Sequence, residues 1–250
     1  MESSPSLLKV SGLSRRFGEV LAVDGLSFEV RPGEILGLVG PNGAGKTTSL
    51  RTIAGVLPIQ AGEISVAGRD LDRDPIGAKS LLAWIPDEPQ PDENLTVLEH
   101  LEFTAGIYGI RDWVEPANEL LARFDLTAKA DALGGELSRG MRQKLAFAQA
   151  WLTGPRVLLM DEPLSGLDPL GIRAAKAEIL QMAAEGAAIV LSSHLLKLIE
   201  ELADRLLILD AGRAVFTGTL EEARESDLAG KGGSLEEIFL AATGAQPVDE

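Results

Sequence analysis

Ile35-Leu36-Gly37-Leu38-Val39-Gly40-Pro41-Asn42-Gly43-Ala44-Gly45-Lys46-Thr47-Thr48 joins a short apolar run to a glycine-rich turn ending in lysine and threonine. From Gly40 to Thr47 it fits the phosphate-loop pattern of Gly, four residues, then Gly-Lys-Thr. The glycines let backbone amides turn inward toward phosphates. Lys46 supplies positive charge for the terminal phosphates, Thr47 offers a hydroxyl to Mg²⁺, and the helix opening here adds its dipole. Gly40, Pro41, Asn42, Gly43, Ala44, Gly45, Lys46, Thr47 and Thr48 are therefore the candidate nucleotide contacts. Such a loop needs a strand before it and a helix after it, and the pattern provides both.

Three more apolar runs, at residues 82–85, 157–160 and 187–191, end in Gly, Pro or polar residues, as buried parallel strands do. Helical patterns follow at 46–54, 169–184 and 195–203, so strand and helix alternate as in an α/β fold with a mostly parallel sheet. Residues 7–30 and 62–68 read instead as short strands of a small antiparallel β subdomain. Between about residues 89 and 155 the pattern predicts an inserted helical subdomain, with helices at 97–108, 116–124 and 138–152. Near the end, 205–209 and 212–216 read as two strands joined by a turn, and Ser234 opens a last helix with Glu237 at the capping-box position.

The run Val157-Leu158-Leu159-Met160-Asp161-Glu162 is a strand ending in two adjacent acids. Neighbours on a strand point opposite ways, so the two can take different roles. Asp161 is the candidate to hold Mg²⁺, and Glu162 the candidate to orient or deprotonate an attacking water. His194 follows Ser192 and Ser193 at the end of another apolar run. Ligands of open α/β sheets sit beyond the carboxyl ends of the strands, and Gly40, Asp87, Asp161, Glu162 and His194 all fall there.

These motifs together resemble the ATP-binding subunits of the ABC superfamily, over about residues 7–218. The most specific element is Leu137-Ser138-Arg139-Gly140-Met141-Arg142-Gln143, similar to the family's signature motif in its exporter-type form. The resemblance implies a P-loop NTPase core, ATP and Mg²⁺ as ligands, and hydrolysis by a head-to-tail dimer. In such a dimer Ser138 and Gly140 contact the terminal phosphate of ATP held by the opposite subunit. It further implies that Phe17 stacks on adenine, that Asp168 in Ser165-Gly166-Leu167-Asp168 lies on the loop crossing the dimer interface, and that His194 contacts the terminal phosphate. The catalytic set is then Glu162, His194 and Lys46, with Thr47, Asp161 and Asp87 at the metal.

Two positions depart from the family pattern. Asp87, in Trp84-Ile85-Pro86-Asp87-Glu88-Pro89, stands where a glutamine is usual, and Arg139 stands where many members have glycine. A carboxylate can still meet Mg²⁺, but it adds negative charge beside the phosphates. Both variants are similar to those of exporter-like members.

The whole chain sets bounds on the role. Its 250 residues suit one large domain, with an ATP-binding domain over 1–220 and an extension over 221–250 comprising a short helix and a flexible tail. With 38 acidic and 23 basic residues, the formal charge of -15 opposes binding to nucleic acid or an anionic membrane surface. No cysteine is present, which suits a reducing compartment. The start does not read as a secretory signal, and no apolar run approaches the roughly 20 residues of a membrane span.

The resemblance therefore implies a cytoplasmic subunit, peripheral on the inner face of the membrane. Its expected partners are transmembrane permease subunits and a second ATP-binding subunit, identical or related. The acids Asp87, Glu88, Asp92, Glu93, Glu99 and Glu102 suit either a solvated face or a basic coupling helix. The alternatives are a soluble ABC ATPase acting on ribosomes or nucleic acid, and a nucleotide-dependent regulator without useful turnover. The acidic charge and the lack of basic tails oppose the first, and an intact Glu162 opposes the second.

Overall fold

A computed structural model describes residues 5–226 and 234–244. The loop-preceding run forms β3 (Ile35–Val39), every residue of which is buried. It lies inside a six-stranded sheet of order β10-β9-β3-β8-β7-β6, completed by β6 (Leu82–Ile85), β7 (Val157–Asp161), β8 (Ala188–Ser192), β9 (Arg205–Asp210) and β10 (Arg213–Thr219). Five strands are parallel and β10 pairs antiparallel at the edge. Along β7, Leu158 and Met160 face one hydrophobic cluster while Val157 and Leu159 face another. Burial on both faces is why these strands read as continuous apolar runs rather than alternating ones.

The second face is covered by α1 (Lys46–Ile53) and by an antiparallel sheet of order β2-β1-β4-β5. Its strands are β1 (Leu8–Phe17), β2 (Val20–Val30), β4 (Ala61–Val66) and the two-residue β5 (Arg69–Asp70). The first face carries α3 (Val97–Tyr108), α4 (Val114–Arg123), α5 (Arg139–Leu152), α6 (Pro169–Ala184) and α7 (Leu196–Leu202). The helical subdomain is stitched by three aromatics, with Phe147 5.6 Å from Phe124 and 5.3 Å from Trp151 between ring centroids. Its first helix opens with a capping box of Thr96 and Glu99 and stops at Gly109 in the left-handed region.

Most expected elements appear within two residues of their predicted ends, β10 runs three residues past its own, and the smaller offsets have local causes. Helix α4 begins at Val114 rather than 116 because Pro116 lies in the first turn, where its missing N–H leaves no intrahelical bond unmade. Ser138 is the cap of α5 rather than its first residue. Two short helices escape the periodicity, α2 (Pro75–Lys79), capped by Asp74, and α8 (Leu220–Glu225), capped by Thr219 with Glu222. The Ser234–Glu237 capping box opens α9 (Leu235–Thr243), whose Leu235 and Ile238 are buried in the first cluster. The last residues of the 221–250 extension, expected as a flexible tail, lie outside the described residues. Among the described residues no helix is long and apolar enough to cross a membrane.

Candidate functional site

The phosphate loop is built by close backbone approach. Gly45 adopts φ 102°, and a Cβ there would collide with the carbonyl oxygen of Ala22 on β2, while a Cβ on Gly40 would sit 2.5 Å from the Leu209 carbonyl on β9. The Gly212 N–H, in the turn after β9, donates to the Ala44 carbonyl at 3.1 Å. Both sheets therefore hold the loop. Helix α1 starts after Gly45 with no side-chain cap, so its first backbone N–H groups face the loop without a side-chain acceptor.

Asn42 to Thr48 line a pocket of about 240 Å³ together with Ala22, Asp87, Asp161 and Glu162. The Lys46 ammonium donates to the carbonyls of Gly40 and Pro41 at 2.5 and 3.2 Å. Burial lowers its pKa, and the negative charges of Glu162 and Asp161 work against that shift. An anion at the helix start would meet the same lysine.

At the end of β7 the two acids diverge as the strand pattern requires. Asp161 is 3% exposed and accepts a hydrogen bond of 2.6 Å from Ser192 Oγ, its register partner on β8. Glu162 has φ 48°, a region costly for a residue with a Cβ. Its N–H donates to the Ser192 carbonyl at 3.1 Å, which holds the strained turn. The carboxylate accepts from Ser193 Oγ at 3.3 Å and lies 2.7 Å from His194 Nδ1. An ionised carboxylate only accepts, so this contact is a hydrogen bond when Nδ1 carries the proton.

Among the described residues no three His, Cys, Asp or Glu side chains gather as a self-sufficient metal cage. The pocket's hard oxygen donors, Thr47 Oγ1 and the carboxylates of Asp161 and Asp87, instead suit Mg²⁺, which takes few protein ligands and completes its shell with phosphate oxygens and water.

Other predicted residues lie outside this pocket. Phe17 closes β1, is 46% exposed, and has the Arg15 guanidinium 5.0 Å over its ring, which excludes a core role. Ser138 accepts from the Met141 N–H at 3.3 Å as cap of α5 and keeps its own proton to donate. Gly140 packs against the Gly166 carbonyl, and Asp168 caps α6 by accepting from the Gly171 N–H at 2.6 Å. Ser192 and Ser193 join the site although their sequence signal was only their place before His194. Arg139, an apparent departure, bonds both Asp87 and Ser165, a contact no linear pattern displays.

A parallel sheet with a phosphate loop, paired acids and a serine-histidine turn at one edge defines a P-loop ATPase subunit. The sequence profile of the ABC transporter family matches residues 23–165, more than half of the chain. EcsA, an ABC-type transporter ATP-binding protein of Bacillus subtilis (strain 168), is 35% identical over 240 residues, covering 95% of this chain and 97% of its own. The Nod factor export ATP-binding protein I of Rhizobium sp. (strain N33) is 38% identical over 219 residues, covering 85% and 70%. A solved ATP-binding subunit of an ABC transporter superposes with a TM-score of 0.90 at 34% identity, covering 95% of this chain and 99% of the other. The chain belongs to the ABC transporter family as an ATP-binding subunit, and it is an ATPase.

Proposed function

We propose that this subunit drives an exporter from the cytoplasmic face of the membrane, paired with a second ATP-binding subunit and with separate transmembrane subunits. The observation that carries this reading is the Glu162 carboxylate, held by Ser193 and His194 at the edge of the pocket that Lys46 and Thr47 line. The export role borne by the Nod factor relative supports the direction of transport. The chain's charge of -15 opposes the alternative of a ribosome- or nucleic-acid-directed ATPase.

In this mechanism the loop amides of residues 42–48 and Lys46 bind the polyphosphate, and Phe17 stacks on the adenine. Thr47, Asp161 and Asp87 would hold Mg²⁺, which spreads the charge developing on the transferred phosphoryl group. Glu162 orients water for in-line attack and accepts its proton, while Ser193 and His194 fix the carboxylate's direction. Ser138 and Gly140 of each subunit close on the nucleotide of the other, with Asp168 at the crossing loop, so each site is completed only in the dimer.

Motion leaves through the helical subdomain. A groove of about 490 Å³ runs beside the Asp87 loop, lined by Trp84, Pro89, His100, Phe103, Tyr108 and neighbouring residues. Phe103 and Ile107 stand 60% and 65% exposed on α3. Such an apolar, acid-rimmed face suits a cytoplasmic helix of the membrane subunit.

Glu162→Gln keeps the side chain's shape and removes its basicity. Turnover should fall by roughly 10² to 10⁴, while ATP binding persists and a dimer accumulates with ATP on sizing with light scattering. Unchanged turnover would remove Glu162 from the mechanism.

A further inference from the structure

The two departures from the family pattern touch each other. Arg139 Nη2 lies 3.3 Å from Asp87 Oδ1 and donates to Ser165 Oγ at 2.9 Å. Its stem covers Gly166, where a Cβ would stand 3.0 Å from Arg139 Cδ. One guanidinium thus spans the loop after β6, the start of α5 and the loop after β7.

The pocket explains why a cation is needed there. Asp87, Asp161 and Glu162 all line it, against the single ammonium of Lys46. Mg²⁺ arriving with the polyphosphate would offset part of this charge, but Asp87 still brings one more negative charge than glutamine would. Arg139 supplies the compensating charge from outside the pocket and leaves the loop lining unobstructed. Arginine suits the task because its planar fork serves two acceptors at once and stays charged at any relevant pH.

We propose that Arg139 is a positioning residue for nucleotide binding: it neutralises Asp87 and ties that carboxylate's loop to the Ser165–Gly166 loop, so that Asp87 and Arg139 act as one unit replacing glutamine and glycine. This rests on the ATP-site reading above. Both partners are about half exposed, and such surface pairs add little to fold stability. The unit's effect is therefore to be read in ligand affinity, where the pocket charge acts, and not in fold stability.

A four-protein cycle tests it, with wild type, Arg139→Gly, Asp87→Gln and the double variant. ATP affinity is titrated with a fluorescent analogue, with and without Mg²⁺. We expect Arg139→Gly to weaken binding about tenfold in the Asp87 background and less than about twofold in the Asp87→Gln background, a coupling typical of contacting charges. Arg139→Lys, which keeps the charge and gives up the fork, should lose less affinity than Arg139→Gly, and about 1 M salt should erase the charge-dependent difference because screening then acts within about 3 Å. Equal losses in both backgrounds, or no loss in either, would overturn the proposal. Should the glycine variant fail to fold, Arg139→Gln removes the charge with similar bulk and is read the same way. Failure of the wild type itself to bind ATP would instead contradict the underlying site.

Discussion

At the scale of the residue, Glu162 shows how the site trades local comfort for placement. Its left-handed backbone puts the side chain beside Ser193 and His194, just past a strand whose last residue, Asp161, is buried. Strain of this kind persists only where surrounding bonds impose it, here the N–H of Glu162 on the Ser192 carbonyl. The conformation penalises any residue with a Cβ, so the ordinary advantage of alanine over glycine should invert. We predict that Glu162→Gly is more stable than Glu162→Ala by about 1 kcal/mol, or a Tm higher by about 2–4 °C. On the proposed mechanism both variants should be inactive. A more stable alanine variant would show that the turn is not strained in solution.

At the scale of the element, side-chain caps mark where two helices of the inserted subdomain begin, Thr96 at α3 and Ser138 at α5. Glu99 accepts from the N–H and hydroxyl of Thr96 at 2.7 and 2.8 Å, and these bonds hold its pKa below the usual carboxylate value. The folded state then binds fewer protons than the unfolded one in mild acid. The stabilisation is present above the unfolded pKa and fades as pH falls through the folded one. Glu99→Gln should therefore lower Tm relative to wild type near neutral pH, with the gap closing on acidification. A gap independent of pH would show that charge has no part in the cap.

The same elements show what could be read from the chain beforehand. Helix α6 was legible to the residue, because Asp168-Pro169 marks its start and its 16-residue pattern is long. Helices α2 and α8, of five and six residues, are too short for periodicity to register. In the site, the phosphate loop and paired acids are local patterns, and each falls at its expected strand end. Ser192's bond to Asp161 arises from β7–β8 register, and the Arg139–Asp87 contact joins positions 52 residues apart. Neither has a linear signature.

At the scale of the whole molecule, the sheet edge gathers the loop, the metal candidates and Glu162, while Ser138, Gly140 and Asp168 stand outside that pocket. On the proposed mechanism, one chain presents a nucleotide-binding half, and its α5 start and the loop after β7 serve the nucleotide of a second subunit. Among the described residues the Phe103 and Ile107 side chains on α3 stand exposed, and the groove beside them adjoins the Asp87 loop. That adjacency gives the proposed motor a route from nucleotide to membrane. The most direct test is to tag the Glu162→Gln form, extract it from its native membranes with mild detergent in the presence of ATP, and identify what co-purifies. The account predicts a polytopic membrane protein in stoichiometric amount; recovery only from the soluble fraction, with ribosomes, DNA or no partner, would contradict it.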